Sequence, residues 1–263
     1  MTNVLVSVPD QNTEAWLDAV AEFEALRDVE VSAVLFQEES RANLLKLASR
    51  NGLHPRMVRN LIPGEVGRNL EALPDTEIDR LAEKLREDLS DYGEEGAYSV
   101  VLDLGLEKID EKDEDGALRR RVTFVRRFLP TIESRDLQLL IPVRYPPPHP
   151  GACTWETATN LVHEVMHPAC RLLVNFYPGE AEDDFDRTAF VRRCALHLGA
   201  IRFIYEPMLG ETPNVDTLEA WRETLMWHGF RGALIFAPRI SDVDAVRPAC
   251  SKISEYASTL LRA

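Results

Sequence analysis

LQLLIPVRYPPPHPGACTWETATNLVHEVMHPACRLLVNF, residues 137–176, places two short and almost wholly apolar runs, Leu137–Val143 and Cys170–Phe176, on either side of a helical stretch, Thr157–His167. Within that stretch Ala158, Leu161, Val162 and Val165 fall on one stripe at the 3.6-residue period of a helix that buries a single face. The flanking runs lack the in-out alternation of half-exposed antiparallel strands. They have the continuous apolar character of parallel strands covered by helices. Strand, helix and strand together read as one crossover unit.

Outward from this unit the same alternation fills the chain. Further apolar runs lie at Val4–Val8, Val29–Phe36, Met57–Ile62, Tyr98–Leu104, Ile201–Tyr205 and Ala233–Phe236. Helical segments lie at Glu14–Arg27, Arg41–Arg50, Glu77–Asp91, Leu118–Glu133, Phe185–Leu198, Thr217–His228 and Val243–Leu261. Thr13, Ser40, Thr76 and Asp216 stand where side-chain oxygens could cap helix starts. Eight βα units in 263 residues average about 33 each, which fits the ~250-residue (β/α)8 barrel and predicts a single domain over residues 1–263. The third unit breaks the pattern most: its run contains Arg59 and Asn60 and is followed by Pro63-Gly64, so an open seven-stranded variant is the alternative.

With 30 Lys and Arg against 44 Asp and Glu, the formal net charge is −14, which repels phosphate backbones and anionic lipid. Neither nucleic acid nor a membrane surface is expected as a partner. The densest basic cluster, Arg119-Arg120-Arg121 with Arg126-Arg127, reads as a solvated helix face balanced by Glu111, Asp113, Glu114 and Asp115. The N-terminal MTNVLVSVPD lacks a basic flank and a long apolar core, and no apolar stretch reaches a membrane span of ~20 residues. A cytoplasmic protein is the expectation. Cys153, Cys170, Cys194 and Cys250 show no CxxC pairing and read as reduced, mostly buried thiols. Trp155, Trp221 and Trp227 are expected to pack between helices and sheet. A homo-oligomer is compatible with the fold, and no patch in the sequence singles out an interface.

His163-Glu164-Val165-Met166-His167 matches the H-E-x-x-H pattern, in which two histidines one turn apart hold zinc and the Glu activates water. Three features oppose a zinc hydrolase. The two histidines and Glu164 lie opposite the apolar stripe, Pro168 stops the helix, and only common acids such as Glu180 and Glu182 follow as third ligands. A solvated polar face is expected.

In barrels of this kind ligand sites gather at the C-terminal ends of the strands and the loops after them. There Arg144 and Arg239 could pair with a carboxylate or phosphate, and Tyr145, Tyr177 and Tyr205 could stack on a sugar face. Asn175, Glu38 and Glu107 join them as ligand-binding candidates. Glu206 and Asp103 are the candidates for acid and base chemistry. The opposing reading is that these charges pair with one another across the mouth. The proline run Arg144 to Pro150 reads as a stiff connection between strand and helix.

From Ala97 onward the chain resembles the xylose isomerase-like barrel superfamily, which includes sugar-phosphate isomerases, epimerases and hydroxypyruvate isomerase-like proteins. The resemblance rests on LVHEVMHPACRLLVNFYPGE (161–180), LRRRVTFVRRFLPTIESRDLQLLIPV (118–143) and WHGFRGALIFAP (227–238). It implies a divalent metal held by a Glu ending the fifth strand, an Asp and His at the sixth, a His at the seventh and a Glu at the eighth. Those positions fall on Pro142, on Asn175 and Pro178, on Tyr205 and on Ala237, none of which is an anionic or imidazole donor. No metal or other cofactor is therefore expected, and the family's metal-assisted isomerisation is not inherited. Two readings remain: a barrel that binds a carbohydrate-like ligand or sugar acid or serves as a non-catalytic subunit, and an active isomerase, epimerase or lyase with altered acid/base residues.

Overall fold

The computed structural model describes residues 3–106, 114–146, 155–180, 186–207 and 212–261. Eight parallel strands close into a barrel in chain order: β1 (Asn3–Ser7), β2 (Asp28–Ser32), β3 (His54–Arg59), β4 (Ser99–Val101), β5 (Gln138–Tyr145), β6 (Cys170–Phe176), β7 (Leu198–Tyr205) and β8 (Ala233–Pro238). Val4 lies opposite Leu234 and Val6 opposite Phe236, so β1 pairs with β8 and no strand is left with a free edge. That closure excludes the open seven-stranded variant.

Helices α1 (Thr13–Ala21), α2 (Glu38–Arg50), α3 (Gly64–Arg68), α4 (Asp75–Glu94), α5 (Glu114–Arg126), α6 (Leu129–Ser134), α7 (Trp155–Val165), α8 (Arg187–Cys194), α9 (Val215–Trp227) and α10 (Val246–Leu261) surround the sheet. Their apolar stripes and the outward side chains of the strands form one continuous core that includes Trp16, Phe124, Trp221 and Tyr256. A second cluster of Leu5, Met57, Val101, Leu140, Leu173, Ala200, Ala233 and Ile235 fills the barrel itself. Cys170, Cys194 and Cys250 are buried free thiols, each pushed up to about 12 by burial; Cys153 lies outside the described residues. Among the described residues no helix is long and apolar enough to cross a membrane.

Several local expectations are corrected. The second run ends as a strand at Ser32, because the Ser32 hydroxyl accepts the Val34 N–H at 3.4 Å and curls Ala33–Phe36 into a 3-10 turn. The third strand begins at His54 and stops at Arg59, where Asn60 takes a left-handed φ of 59°. Leu118–Glu133 divides into α5 and α6 at Pro130, which has no N–H to give to the preceding turn. The expected caps give way to Asn12, Gln37, Pro74 and Asn214, of which Asn214 accepts the Thr217 N–H at 2.6 Å. Trp227 is 86% exposed, whereas Trp221 is fully buried.

The arginine cluster is a solvated face only in part: Arg119 and Arg126 are exposed, whereas Arg121 is buried. Arg121 is 1% exposed, donates to the carbonyls of Leu104 (2.8 Å) and Ala117 (3.1 Å), and pairs with Glu71. Arg120 donates to the carbonyls of Leu70 and Leu73, so two guanidinium groups tie α5 to the loop before α4. Glu111 and Asp113, expected to balance this cluster, lie outside the described residues, as do the side chains of Glu114 and Asp115.

Candidate functional site

Strand alternation sends Ser7, Arg59, Asp103, Pro142, Asn175, Arg202, Ile204 and Ala237 toward the barrel axis near the C-terminal ends. They line two cavities. The larger, about 580 Å³, lies over β1, β3, β7 and β8 and is walled by Ser7, Arg59, Arg202, Glu206 and Arg239 among others. The smaller, about 70 Å³, lies over β4, β5 and β6 against Asp103, Pro142, Arg144, Asn175 and Tyr177.

Between and beneath them runs a buried ionic contact that the sequence reading missed. Arg202 on β7, 8% exposed, pairs with Glu30 on β2, which is fully buried, and donates to Asn175 Oδ1 on β6 at 2.9 Å. The other carboxylate oxygen of Glu30 and the Nε of Arg202 have no hydrogen-bond partner among the described residues. A signal was present: Glu30 and Arg202 are single charges inside otherwise apolar strand runs, VEVS and AIRFIY. A desolvated charge is costly, so a charge at an interior-facing strand position is retained only with a partner.

The other guanidinium groups at the mouth are tied more loosely. Arg59 donates to the Val8 carbonyl (2.9 Å) and to Asp10 (3.1 Å). Arg239 donates to Glu206 (3.3 Å) and to the Tyr177 hydroxyl (3.4 Å). Arg144 pairs with Glu180, and its guanidinium lies 3.9 Å from the Tyr177 ring centre, so it is already stacked and paired.

The sequence candidates thus separate into groups. Asn175, Tyr177, Arg144, Arg239, Glu206 and Asp103 meet at the mouth. Glu206 and Asp103 line different cavities, and Asp103 accepts the Gly105 N–H at 2.8 Å, which shapes the turn after β4. Tyr205 is 3% exposed on the opposite face of β7, where burial against Tyr256 and Cys250 raises its phenol. Tyr145 also joins the outer core, stacked on Phe176 at 6.2 Å. Glu107 and the side chain of Glu38 lie outside the described residues.

The positions to which the resemblance assigns a metal need one correction: the mouth-facing residue on β7 is Ile204, with Arg202 one step deeper, rather than Tyr205. Pro142, Asn175, Ile204 and Ala237 do not fit a divalent cation, because none offers a carboxylate or imidazole. Among the described residues no three His, Cys, Asp or Glu side chains come together as a metal-binding group. In the HEVMH segment, α7 ends at Val165 and Met166 adopts a left-handed φ of 55°. The His163 ring meets His197 edge to face at 5.9 Å, while His167 Nδ1 accepts the Ala169 N–H at 3.3 Å. The two histidines therefore face different neighbours. Burial, with His163 and Arg171 nearby, lowers the His197 pKa.

By sequence the chain matches no family model and no curated protein. By structure it is similar to D-psicose 3-epimerase from Clostridium cellulolyticum H10, at 16% identity and a TM-score of 0.70 over 98% of this chain and 99% of that one. It is similar to 3-keto-D-glucoside 4-epimerase from E. coli, at 12% identity and 0.72 over 97% and 99%. It is also similar to an AP endonuclease, family 2, from Brucella melitensis, at 14% identity and 0.67 over 93% and 96%. Likeness of this degree establishes the fold, a closed (β/α)8 barrel.

Proposed function

We propose that this barrel is a divergent relative of the sugar isomerases and epimerases that binds a carbohydrate-like ligand or sugar acid in the larger cavity and has lost the divalent metal. The observation that carries this reading is the composition of the mouth. A cleft of about 580 Å³ is wide enough for a sugar, and its cations are guanidinium groups. The epimerase neighbours support a carbohydrate as the occupant. Against the nuclease neighbour stands the formal charge of −14, which opposes a phosphate backbone. The separation of Glu206 from Asp103 speaks against the two acting as an acid and base on one atom, so binding without turnover is favoured.

Titration calorimetry with D-gluconate, in EDTA and again with Mn²⁺, tests the reading. Equal binding in both is the expected result. Binding that appears only with Mn²⁺, or epimerisation dependent on it, would overturn the loss of the metal.

A further inference from the structure

We infer that Arg202, held from behind by Glu30, is the residue that recognises an acidic group on the ligand. This rests on the carbohydrate reading above and names the chemistry the ligand presents: a carboxylate or phosphate on a polyol chain. Arg202 lies in the wall of the larger cavity, whereas Glu30 does not reach that wall. An entering ligand therefore meets the guanidinium and not the carboxylate. Among the described residues only two of its five N–H donors are used, one on Glu30 and one on Asn175.

The pair is also an improbable choice for stability alone. Burying two ions costs several kcal/mol each in solvation, and apolar residues of similar volume are often equal or better. The barrel is otherwise filled by an apolar cluster, from Leu5 and Met57 to Leu173 and Ile235, and by small polar residues, and among the described residues Glu30 and Arg202 are the only buried charges on its strands. Placed at the ligand end of the fold, the ionic pair supplies a rigid cation whose rotamer is fixed before anything binds. A planar guanidinium fixed in this way favours oxygen pairs held in one plane. Arg59 and Arg239 line the same cavity. Their bonds to Asp10 and Glu206 are partly exposed, so exchanging those partners for a ligand oxygen costs little. Arg144 differs: its engagement with Glu180 and Tyr177 faces the smaller cavity, which is too narrow for a sugar.

Calorimetric binding of three probes on one six-carbon chain tests this: D-gluconate for a carboxylate, D-glucose 6-phosphate for a phosphate, and D-glucitol as the neutral control. The expected result is that at least one acidic probe binds about tenfold or more tightly than glucitol, the size of a charge-assisted hydrogen bond. Which acidic probe shows the preference identifies the acidic group. Because Arg202→Gln alone leaves Glu30 without a partner, the decisive variant is Glu30→Gln with Arg202→Gln, its fold checked by circular dichroism. It should bind acidic and neutral probes alike, while Arg144→Gln keeps the preference. A preference retained in the double variant, or lost in Arg144→Gln, overturns the role of Arg202 and leaves the carbohydrate reading intact. Glucitol binding as tightly as both acidic probes does the same. Failure of all three to bind overturns the carbohydrate reading itself, and this inference with it.

Discussion

The two sides of the barrel mouth use the same residue types to opposite ends. Over β4, β5 and β6 the charges close the surface: Asp103 completes a turn, Arg144 is paired and stacked, and about 70 Å³ remains. Over β1, β3, β7 and β8 one charge pair is buried beneath an open cavity of about 580 Å³. The difference teaches that an arginine at a strand end is not by itself a ligand reader. What matters is whether its partner stands beside it at the surface or behind it in the core.

The sharpest way to break the comparison is to remove one arginine from each side. Arg202→Leu strands the buried Glu30 and is expected to cost about 3–5 kcal/mol in chemical denaturation. Arg144→Leu, whose partner Glu180 is half exposed, should cost less than about 1 kcal/mol. Equal losses would mean that the two pairs differ in depth only on paper.

A second change strikes the closed side through its backbone. A Cβ on Gly67 of α3 would come within 2.2 Å of the Asp103 carbonyl oxygen. Gly67→Ala should therefore push α3 off the end of β4 and cost about 1–3 kcal/mol, measured by urea unfolding. Because it leaves the larger cavity untouched, gluconate binding should persist in the folded fraction.

The effect that vanishes at neutral pH belongs to neither side and serves as a baseline. Cys170, Cys194 and Cys250 have folded pKa values raised from 9.0 to about 12 by burial. The unfolded chain releases those protons first, so their contribution is complete below pH 9 and is lost as pH rises toward 12. Each titrating thiol lowers stability by up to about 1.4 kcal/mol per pH unit in that window. Replacing all three by Ala should flatten the alkaline arm of the stability profile, and an unchanged arm would place its origin elsewhere.

How much of this was legible in the sequence depends on whether the signal was periodic. Strand β6 was read to the residue, Cys170–Phe176, because Pro168 and Pro178 bracket a run whose only polar members are Arg171 and Asn175. The stripe of Ala158, Leu161, Val162 and Val165 on α7 was equally plain. Boundaries set by a single side chain were not, as the Ser32 hydroxyl and Pro130 show. The mouth was legible as a set of positions but not as contacts. Tyr205 and Ile204 are neighbours in sequence, yet one faces the outer core and the other the mouth. A slip of one residue in the assumed register exchanges them. The partnership of Glu30 with Arg202 spans 172 positions and leaves no periodic trace. What the sequence offered was two anomalies, each a lone charge in a buried strand, and only the closed barrel joins them.

That closure also sets an order of events during synthesis. Of the eight strands β1 is made first, yet one of its two hydrogen-bonding neighbours, β8, begins only at Ala233. Until then the growing sheet has two open margins, each a template for another chain. Arg202, on β7, precedes β8 in the chain. The Glu30–Arg202 contact thus ties β2 to β7, strands that are not hydrogen-bonded neighbours, through residues that are both made before the closing strand.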